Sequence, residues 1–307
     1  MEAGRSIAVL AVAATVLVSS CAAEPRAGPR PNFLDDDTIV VGSFNFPESE
    51  LLAQVYGQAL EREGYDVRID GRLGPRELVE PALARGLVEL LPEYSGTAVQ
   101  FLTLGKTAPT HDRAQTHDAL VRALRHERVV ALDAAPAQSA NAIVVTRATA
   151  ARHHLRRVSD LRTVAPHLRF GGPPECPTRP FCLQGLARVY GLKFERFVPL
   201  DVGGPLTRSA LETKGIDVAL LFTTDAAISR DGFVVLEDDR GLQPAESVTP
   251  LVRRELVERN GARFVRTVND VSRRLTTEVL RELNGRVARG TSIDRVARSW
   301  LAQAGGA

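Results

Sequence analysis

The chain has 307 residues, a formal net charge of +2 and a hydrophobic fraction of 44%, enough for two domains or one large domain with an ample core. Only three of the 39 basic residues are lysine, and the arginines are scattered among acids, so the sequence predicts no basic face for nucleic acid. The six histidines include no pair at the spacing of a helical zinc motif, and none is close in sequence to Cys176 or Cys182. We therefore expect no metal, no cofactor and no nucleic-acid partner.

Residues 1–20 have the pattern of an export signal. Arg5 precedes an apolar run over residues 7–18, which is too short to span a bilayer as a helix. Residues 18–21 (Val-Ser-Ser-Cys) resemble a bacterial lipobox, which implies cleavage before Cys21 and a diacylglycerol on its sulfur. An ordinary secretory signal with a chance cysteine is the alternative. Both interpretations predict an extracytoplasmic protein, and the first predicts one that is lipid-anchored at the cell membrane.

Residues 21–37 are predicted to form a flexible tether. They contain three prolines and end in three aspartates, with almost nothing to bury. Such a composition stays extended and mobile. The folded part is therefore expected to begin near Thr38.

From Thr38 onward, short β-rich runs alternate with helical periodicity, which is an α/β pattern. The predicted strands cover residues 38–42, 66–69, 88–91, 142–146, 168–170, 197–200, 218–222 and 233–236. The predicted helices cover residues 47–63, 75–85, 112–126, 149–154, 184–190, 206–213 and 293–301, and the first has proline at a favourable initial position. Beyond Pro250 we expect a mostly helical chain with no sheet of its own.

Cys176 and Cys182 form an even pair in a chain that is predicted to be exported. A disulfide that closes a small loop is therefore expected, and two reduced buried cysteines are the alternative. The spacing is not Cys-x-x-Cys, so a bridge here is predicted to be structural rather than redox-active.

Five segments, taken in order, resemble one protein family. They are residues 41–48 (VGSFNFPE), 91–97 (LPEYSGT), 179–186 (RPFCLQGL), 222–225 (FTTD) and 234–239 (VVLEDD). This ordered set resembles the substrate-binding proteins of ABC importers for the osmoprotectants glycine betaine, choline, carnitine and proline betaine. The resemblance covers nearly all of residues 38–301.

The resemblance implies an α/β, two-lobed type II periplasmic-binding-protein fold, with the ligand in a cleft between the lobes. We place the two crossovers near residues 138–141 and 247–250. Lobe 1 is then predicted to comprise residues 38–139 plus 248–307, and lobe 2 residues 140–247. The expected protein is a monomer that captures a small zwitterionic or quaternary-amine ligand and delivers it to the transmembrane subunits of an ABC permease.

A quaternary ammonium group is permanently charged and offers no N–H donor, so aromatic faces are the groups that hold it. The family's cage is usually built from four aromatics. By resemblance, Tyr94 and Phe222 keep two cage positions, whereas Asn141 and Arg208 stand where the family often has tyrosine. The resemblance therefore predicts that glycine betaine, which has a carboxylate, binds better than choline. Alternatively, Tyr94 is a structural residue at a strand end and Phe222 is part of the core.

The remaining candidate contacts are polar. Ser43 and Asn45 lie at a strand-to-helix turn, where they either receive an anion or cap the helix. Arg76 opens a short helix and is either a clamp for a carboxylate or a solvated residue, and Arg208 has the same two alternatives. Thr223 follows Phe222 and is the last predicted ligand contact. Asn141 either donates to a ligand carboxylate or satisfies the backbone of the crossover.

Four functions follow from these patterns. The leading one is a lipoprotein that binds a zwitterionic osmoprotectant for an ABC importer, and the second is a binding protein for another polar or carboxylate-bearing solute. An exported enzyme is disfavoured because the chain has no Gly-x-Ser-x-Gly motif and no metal constellation. A surface receptor that uses the same fold without transport is the fourth.

Overall fold

The computed structural model describes residues 37–303. The predicted signal segment, the lipobox cysteine Cys21 and all of the tether except Asp37 lie outside this range. Within it, no helix is both long and apolar enough to cross a bilayer.

Between residues 37 and 303, ten strands form two separate five-stranded sheets. In chain order they are β1 (Ile39–Gly42), β2 (Val67–Asp70), β3 (Leu90–Tyr94), β4 (Val129–Ala131), β5 (Asn141–Thr146), β6 (Arg169–Gly172), β7 (Arg196–Pro199), β8 (Val218–Phe222), β9 (Phe233–Val235) and β10 (Val248–Arg253). The first sheet has the order β2-β1-β3-β10-β4, and the second has the order β7-β6-β8-β5-β9. We call the first sheet with its packed helices lobe 1, and the second lobe 2.

The two sheets share one plan. In lobe 1, β1 pairs in parallel with β2 and β3, and β10 is antiparallel to β3 and β4. In lobe 2, β6 pairs in parallel with β7 and β8, and β5 is antiparallel to β8 and β9. In each sheet the strand that is antiparallel to both of its neighbours, β10 in lobe 1 and β5 in lobe 2, is the one that the chain enters from the other lobe. The chain therefore crosses between the lobes twice, along residues 132–140 and 236–247.

Eleven α-helices occur in the described residues. They are α1 (Pro47–Arg62), α2 (Arg76–Arg85), α3 (Ser95–Leu102), α4 (Arg113–Ala123), α5 (Arg147–His153), α6 (Leu183–Gly185), α7 (Pro205–Glu212), α8 (Ala227–Arg230), α9 (Arg254–Arg274), α10 (Thr277–Ala288) and α11 (Ile293–Gln303). Helix α9 is kinked at Gly261, whose φ of 63° is left-handed. Short 3₁₀ turns lie at Val158–Thr163, Ala165–His167 and Cys176–Thr178, and a π-helical turn spans Leu186–Tyr190.

The sequence interpretation missed strand β10, whereas the chain after this strand is helical as expected. The strand lies between β3 and β4 and is buried throughout. Proline normally argues against a central strand because it has no N–H to donate. Here Pro250 faces Pro92, whereas Ser95 donates to the carbonyl of Ser247 three positions along. Along an antiparallel ladder, hydrogen-bonded and non-hydrogen-bonded pairs of facing residues alternate. The two prolines therefore form a non-hydrogen-bonded pair, in which neither residue has to donate an N–H to the other.

Both faces of the lobe 2 sheet are covered, as expected for an α/β sheet. Along β5, Ile143 and Val145 join one hydrophobic cluster, while Ala142 and Val144 join another on the opposite face. This alternation follows from the two-residue period of a strand. Lobe 1 has its own core, which β1, α1, α9 and α10 share. The protein is thus a two-lobed α/β molecule. The lobe limits predicted from the sequence remain our proposal for the domain boundaries.

Candidate ligand cleft between the lobes

A cleft of about 520 Å³ lies between the two lobes. Its volume is within the range of small-molecule sites. The lobe 1 wall includes Asn45, Arg76 and Tyr94, and the lobe 2 wall includes Asn141 and Phe222. These five residues were predicted as ligand contacts. Asn45 lies in the turn between β1 and α1, and the other four lie at the end of a strand or at the start of a helix. The structure therefore brings five of the eight predicted contacts to one cavity.

An aromatic cluster joins the two walls. The ring of Phe46 lies 6.1 Å from that of Phe44, 6.0 Å from Tyr94 and 5.4 Å from Phe222, measured between centroids. Phe44 and Phe46 also line the cleft, and the sequence interpretation missed both because it treated residues 43–46 as a turn. Phe44 and Phe46 are separated by one residue just after a buried strand. In an extended chain this spacing puts both rings on the same side, and it could have indicated that they form one aromatic surface.

Tyr94 presents its ring to the cleft and its hydroxyl to the protein. The hydroxyl donates to Oε1 of Glu48 at 2.9 Å, and the same carboxylate also accepts from Thr224 and Asn284. Burial, followed by the charge of Glu48, raises the pKa of Tyr94 well above its ordinary value. The ring of Tyr94 therefore lines the cavity where a ligand contact was predicted, while its hydroxyl has the structural role that was the alternative.

Arg76 is a cleft residue whose charge is already matched. Its guanidinium makes a two-pronged ion pair with Glu93, with Nη2 at 2.9 Å from Oε2, and its Cζ lies 5.0 Å from the ring centre of Phe44. Burial acts to lower the pKa of Arg76, but the attraction of Glu93 and the bonds to it raise that pKa above normal. Neither predicted alternative describes this residue, since its side chain is only 11% exposed and pairs with a protein carboxylate.

Three buried carboxyl groups surround Arg76. Besides Glu93, they are Glu80, whose Oε1 has no hydrogen-bond partner in the structure, and Glu246, which lines the cleft. Burial and the neighbouring Glu93 raise the pKa of Glu80 well above its usual range. Burial raises the pKa of Glu246 to about 7, against the bonds that it accepts from Thr97. The sequence interpretation found none of these acids, because their burial depends on tertiary contacts.

Asn141 and Asn45 both line the cleft, but they differ in whether their side chains are already hydrogen-bonded within the protein. The side-chain nitrogen of Asn141 donates to the carbonyl of Phe181 at 3.1 Å and to Oε1 of Gln243 at 3.2 Å. Its N–H groups are therefore committed to lobe 2 and its predicted donation to a ligand loses support. Asn45 is exposed, and its backbone N–H donates to the carbonyl of Gly74 at 3.3 Å.

Three predicted contacts lie away from this cleft, which corrects the expected site. Ser43 is fully buried, and its hydroxyl accepts from the N–H of Arg72 at 3.0 Å, so it stabilises the turn after β1. Thr223 accepts from the N–H of Ala140 at 3.1 Å and ties β8 to the first crossover. Both bonds satisfy polar groups that burial would otherwise leave unpaired.

Arg208 lies on a second, smaller cavity of about 240 Å³. Its Nη1 is 3.0 Å from Oδ2 of Asp225 and 3.3 Å from the carbonyl of Gly203. The segment before α7 places the arginine there, where a protein carboxylate neutralises it. The alignment that put Arg208 at a cage position therefore does not describe the geometry of the main cleft.

The loop closed by the predicted disulfide forms part of the lobe 2 wall. Cys176 and Cys182 are bonded, with their Cα atoms 5.3 Å apart, and both line the cleft. Within this loop, Nη2 of Arg179 lies 2.8 Å from Oε2 of Glu77 on lobe 1. Burial and the nearby charge of Arg76 lower the pKa of Arg179. This ion pair connects the two lobes across the cavity and was absent from the sequence interpretation.

The family comparison agrees with this architecture. A family model described as OpuAC, the substrate-binding domain of an ABC-type glycine betaine transport system, matches residues 37–303. The chain belongs to this family. It is thus a substrate-binding protein of ABC transport rather than an enzyme, and such proteins of importers work outside the cytoplasm.

Individual relatives match most of the length of this chain. The glycine betaine-binding protein YehZ of Escherichia coli is 26% identical over 280 residues, which covers 87% of this chain and 90% of the relative. The carnitine transport binding protein OpuCC of Listeria monocytogenes is 24% identical, with 90% and 88% covered. A crystal structure of a glycine betaine/carnitine/choline ABC transporter protein superposes with a TM-score of 0.69 at 24% identity, covering 86% of this chain and 98% of that one. This likeness confirms the type II fold.

Proposed function

We propose that this protein captures a small quaternary-ammonium solute, with glycine betaine as the first candidate, and delivers it to an ABC permease. The relatives named for glycine betaine and carnitine support this choice. The observation that carries it is the aromatic cluster, in which Phe46 lies between Tyr94 from lobe 1 and Phe222 from lobe 2. Ring faces attract a cation that has no hydrogen to donate, and rings from both lobes allow closure to complete the contact.

The predicted preference for glycine betaine over choline needs revision. It assumed that Asn141 and Arg208 face the ligand carboxylate, but Arg208 pairs with Asp225 at the second cavity and the N–H groups of Asn141 are used within lobe 2. The arginines that do line the cleft, Arg76 and Arg179, are each paired with a glutamate. We therefore expect choline to bind as well as glycine betaine.

Calorimetry on the mature protein, stripped of carried-over ligand, tests this proposal. A thermal-shift screen precedes it, because a solute that binds only the folded state raises the melting temperature. The screen includes glycine betaine, choline, carnitine and neutral and acidic amino acids. Stabilisation by amino acids alone would contradict the proposal and favour the alternative of another carboxylate-bearing solute.

A matched pair of variants tests the aromatic contact. Phe222→Leu keeps an apolar side chain at the cleft but removes the ring face, and we expect it to weaken choline binding by about 0.5–2 kcal/mol, which is roughly two- to thirtyfold. Phe194→Leu removes a ring that packs on Phe170 in the core of lobe 2, with centroids 4.8 Å apart. It should lower stability and leave affinity unchanged. Equal affinities in both variants would contradict the cage.

The finer location is also part of the proposal. We infer that the exported protein is a monomer held at the cell membrane by a lipid on Cys21, because the lipobox resemblance places that cysteine at the cleavage site. Cys21 is the first residue of the predicted flexible tether, so a lipid there would hold the protein at the membrane while the lobes could still reach a permease.

A further inference from the structure

Glu246 occupies an unusual position for an acid, because it belongs both to a crossover and to the cleft. It lies in the second crossing segment, only 3% of its surface is exposed, and it lines the cavity. Its backbone N–H donates to Oε1 of Gln138 in the first crossover at 2.7 Å. Its carboxylate accepts from the N–H of Thr97 at 3.1 Å and from the hydroxyl of Thr97. The side chain is thus held rigidly where the two lobes meet.

The charges around Glu246 leave a place for a cation. Two charged groups face it, Arg76 on α2 and Glu93 on β3. Arg76 is committed to Glu93 through two bonds, so its positive charge is largely compensated within that pair. Glu80 adds a third acid beside them. Of these three acids only Glu246 lines the cleft, and the ring of Tyr94 lines the same cavity. A cation in the cleft would therefore meet a carboxyl group that Arg76, which is paired with Glu93, does not neutralise.

We propose that Glu246 is a specificity-determining residue that ionises when a quaternary ammonium group enters the cleft, so that ligand binding releases a proton. This inference rests on the proposed function. A fixed cation nearby favours the carboxylate over the carboxylic acid. The proton leaves to solvent and the ligand is chemically unchanged.

The pKa of about 7 that burial gives Glu246 places this exchange at neutral pH. In the ligand-free protein the group is partly protonated there, and the bound cation lowers its pKa. By linkage, affinity for the cation increases as pH rises towards and through 7, by at most about tenfold per pH unit for one proton. A ligand that instead placed a carboxylate beside Glu246 would raise the pKa, take up a proton and bind more weakly as pH rises. The sign of the proton exchange therefore reports which end of the ligand meets this residue.

The test is titration calorimetry of the mature protein with choline, and separately with glycine betaine, in buffers of different ionisation enthalpy between about pH 6 and 8. Choline has no group that titrates in this range, so any exchanged proton comes from the protein. We expect net release of a fraction of one proton and an affinity that rises severalfold across the range. Glu246→Gln keeps an oxygen that can accept from Thr97 but cannot ionise, so its affinity should not vary with pH. Wild-type affinity should exceed that of the variant most at the alkaline end.

Glu175→Gln is the matched control, because Glu175 is another carboxylate that lines the cleft and directly precedes the disulfide loop. It should retain the proton release of the wild type. Binding of choline without proton release, or with proton uptake, would overturn this inference and leave the proposed function standing. Failure of both ligands to bind at any pH would overturn both. If Glu246→Gln does not fold, the wild type and Glu80→Gln decide the question together, because Glu80 is the neighbouring acid whose pKa is also raised. Loss of the proton release in Glu80→Gln would overturn the inference.

Discussion

Replacing Tyr94 with phenylalanine removes one oxygen and leaves the ring, so it separates the structural role of the hydroxyl from the proposed contact between the ring and the ligand. The ring lies 6.0 Å from Phe46 at the cleft, while the hydroxyl donates at 2.9 Å to Glu48 in the protein interior. We expect Tyr94→Phe to lower stability and to leave affinity for choline nearly unchanged. Tyr94→Leu, which also removes the ring, should lower both.

The size of the stability loss follows from the acceptor. Glu48 is a buried carboxylate that keeps two other donors, Thr224 and Asn284, after the substitution. A hydrogen bond to a charged group contributes about 1.5–3 kcal/mol. For a folded unit of this size, each kcal/mol lowers the melting temperature by roughly 2–4 °C. The ring contributes separately, because one cation–π contact is worth about 0.5–2 kcal/mol of ligand binding.

Urea unfolding and calorimetry measure the two effects independently. Tyr65→Phe is the control, because it removes a hydroxyl from a partly buried tyrosine that packs edge-on against Phe264, outside the cleft. It should cost less stability than Tyr94→Phe. If Tyr94→Phe loses as much affinity as Tyr94→Leu, the hydroxyl contacts the ligand and the division of roles is wrong. If Tyr94→Phe is as stable as the parent, the bond to Glu48 contributes nothing.

Two further predictions concern the anchor and the contact between lobes. Cys21→Ser should move the folded protein from the membrane to the soluble fraction after cell fractionation. Serine has no sulfur to carry the predicted diacylglycerol, and stable anchoring needs more than one acyl chain. Unchanged partitioning would contradict the lipobox. Arg179→Ala removes the 2.8 Å pair with Glu77 that links the lobes. It should increase the radius of gyration of the ligand-free protein in small-angle scattering and weaken binding by at most about 1 kcal/mol, because the pair is partly exposed. Arg72→Ala, which breaks a 2.7 Å pair with Glu50 inside lobe 1, should leave that radius unchanged, and an equal expansion in both variants would refute a link between lobes.

Local patterns were sufficient to predict most elements. The periodicity that predicted a helix from Pro47 corresponds to α1, and the predicted strand at residues 218–222 is β8. Where another element was predicted, its boundaries differ by one to three residues, because helix and strand ends depend on their neighbours. The short elements β4, α3 and α8 were not predicted. Strand β10 was missed for a different reason. Its Pro250 is locally unfavourable, and the pairing is acceptable because Pro250 occupies a non-hydrogen-bonded position opposite Pro92 in β3.

For the candidate site, the sequence determined which residues stand at strand ends but not which partners they meet. Tyr94 and Phe222 reach the cleft because each is the last residue of a buried strand, β3 in the sheet of lobe 1 and β8 in the sheet of lobe 2. Arg76 also reaches it, but the partner that neutralises it, Glu93, is 17 residues away and lies on another element. Arg208 was misassigned because its partner, Asp225, could not be recognised from spacing.

The sequence by itself determined the alternation of strands and helices, the pair of cysteines and, through its ordered motifs, the family. Periodicity and short motifs are local, so they are already present in the linear chain. Only the tertiary structure decided that Phe46 links rings from both lobes and that Glu246 is buried at the crossover. Burial and charge pairing depend on elements that are far apart in the chain, and those contacts set the pKa of an acid and the face that an aromatic ring presents to a ligand.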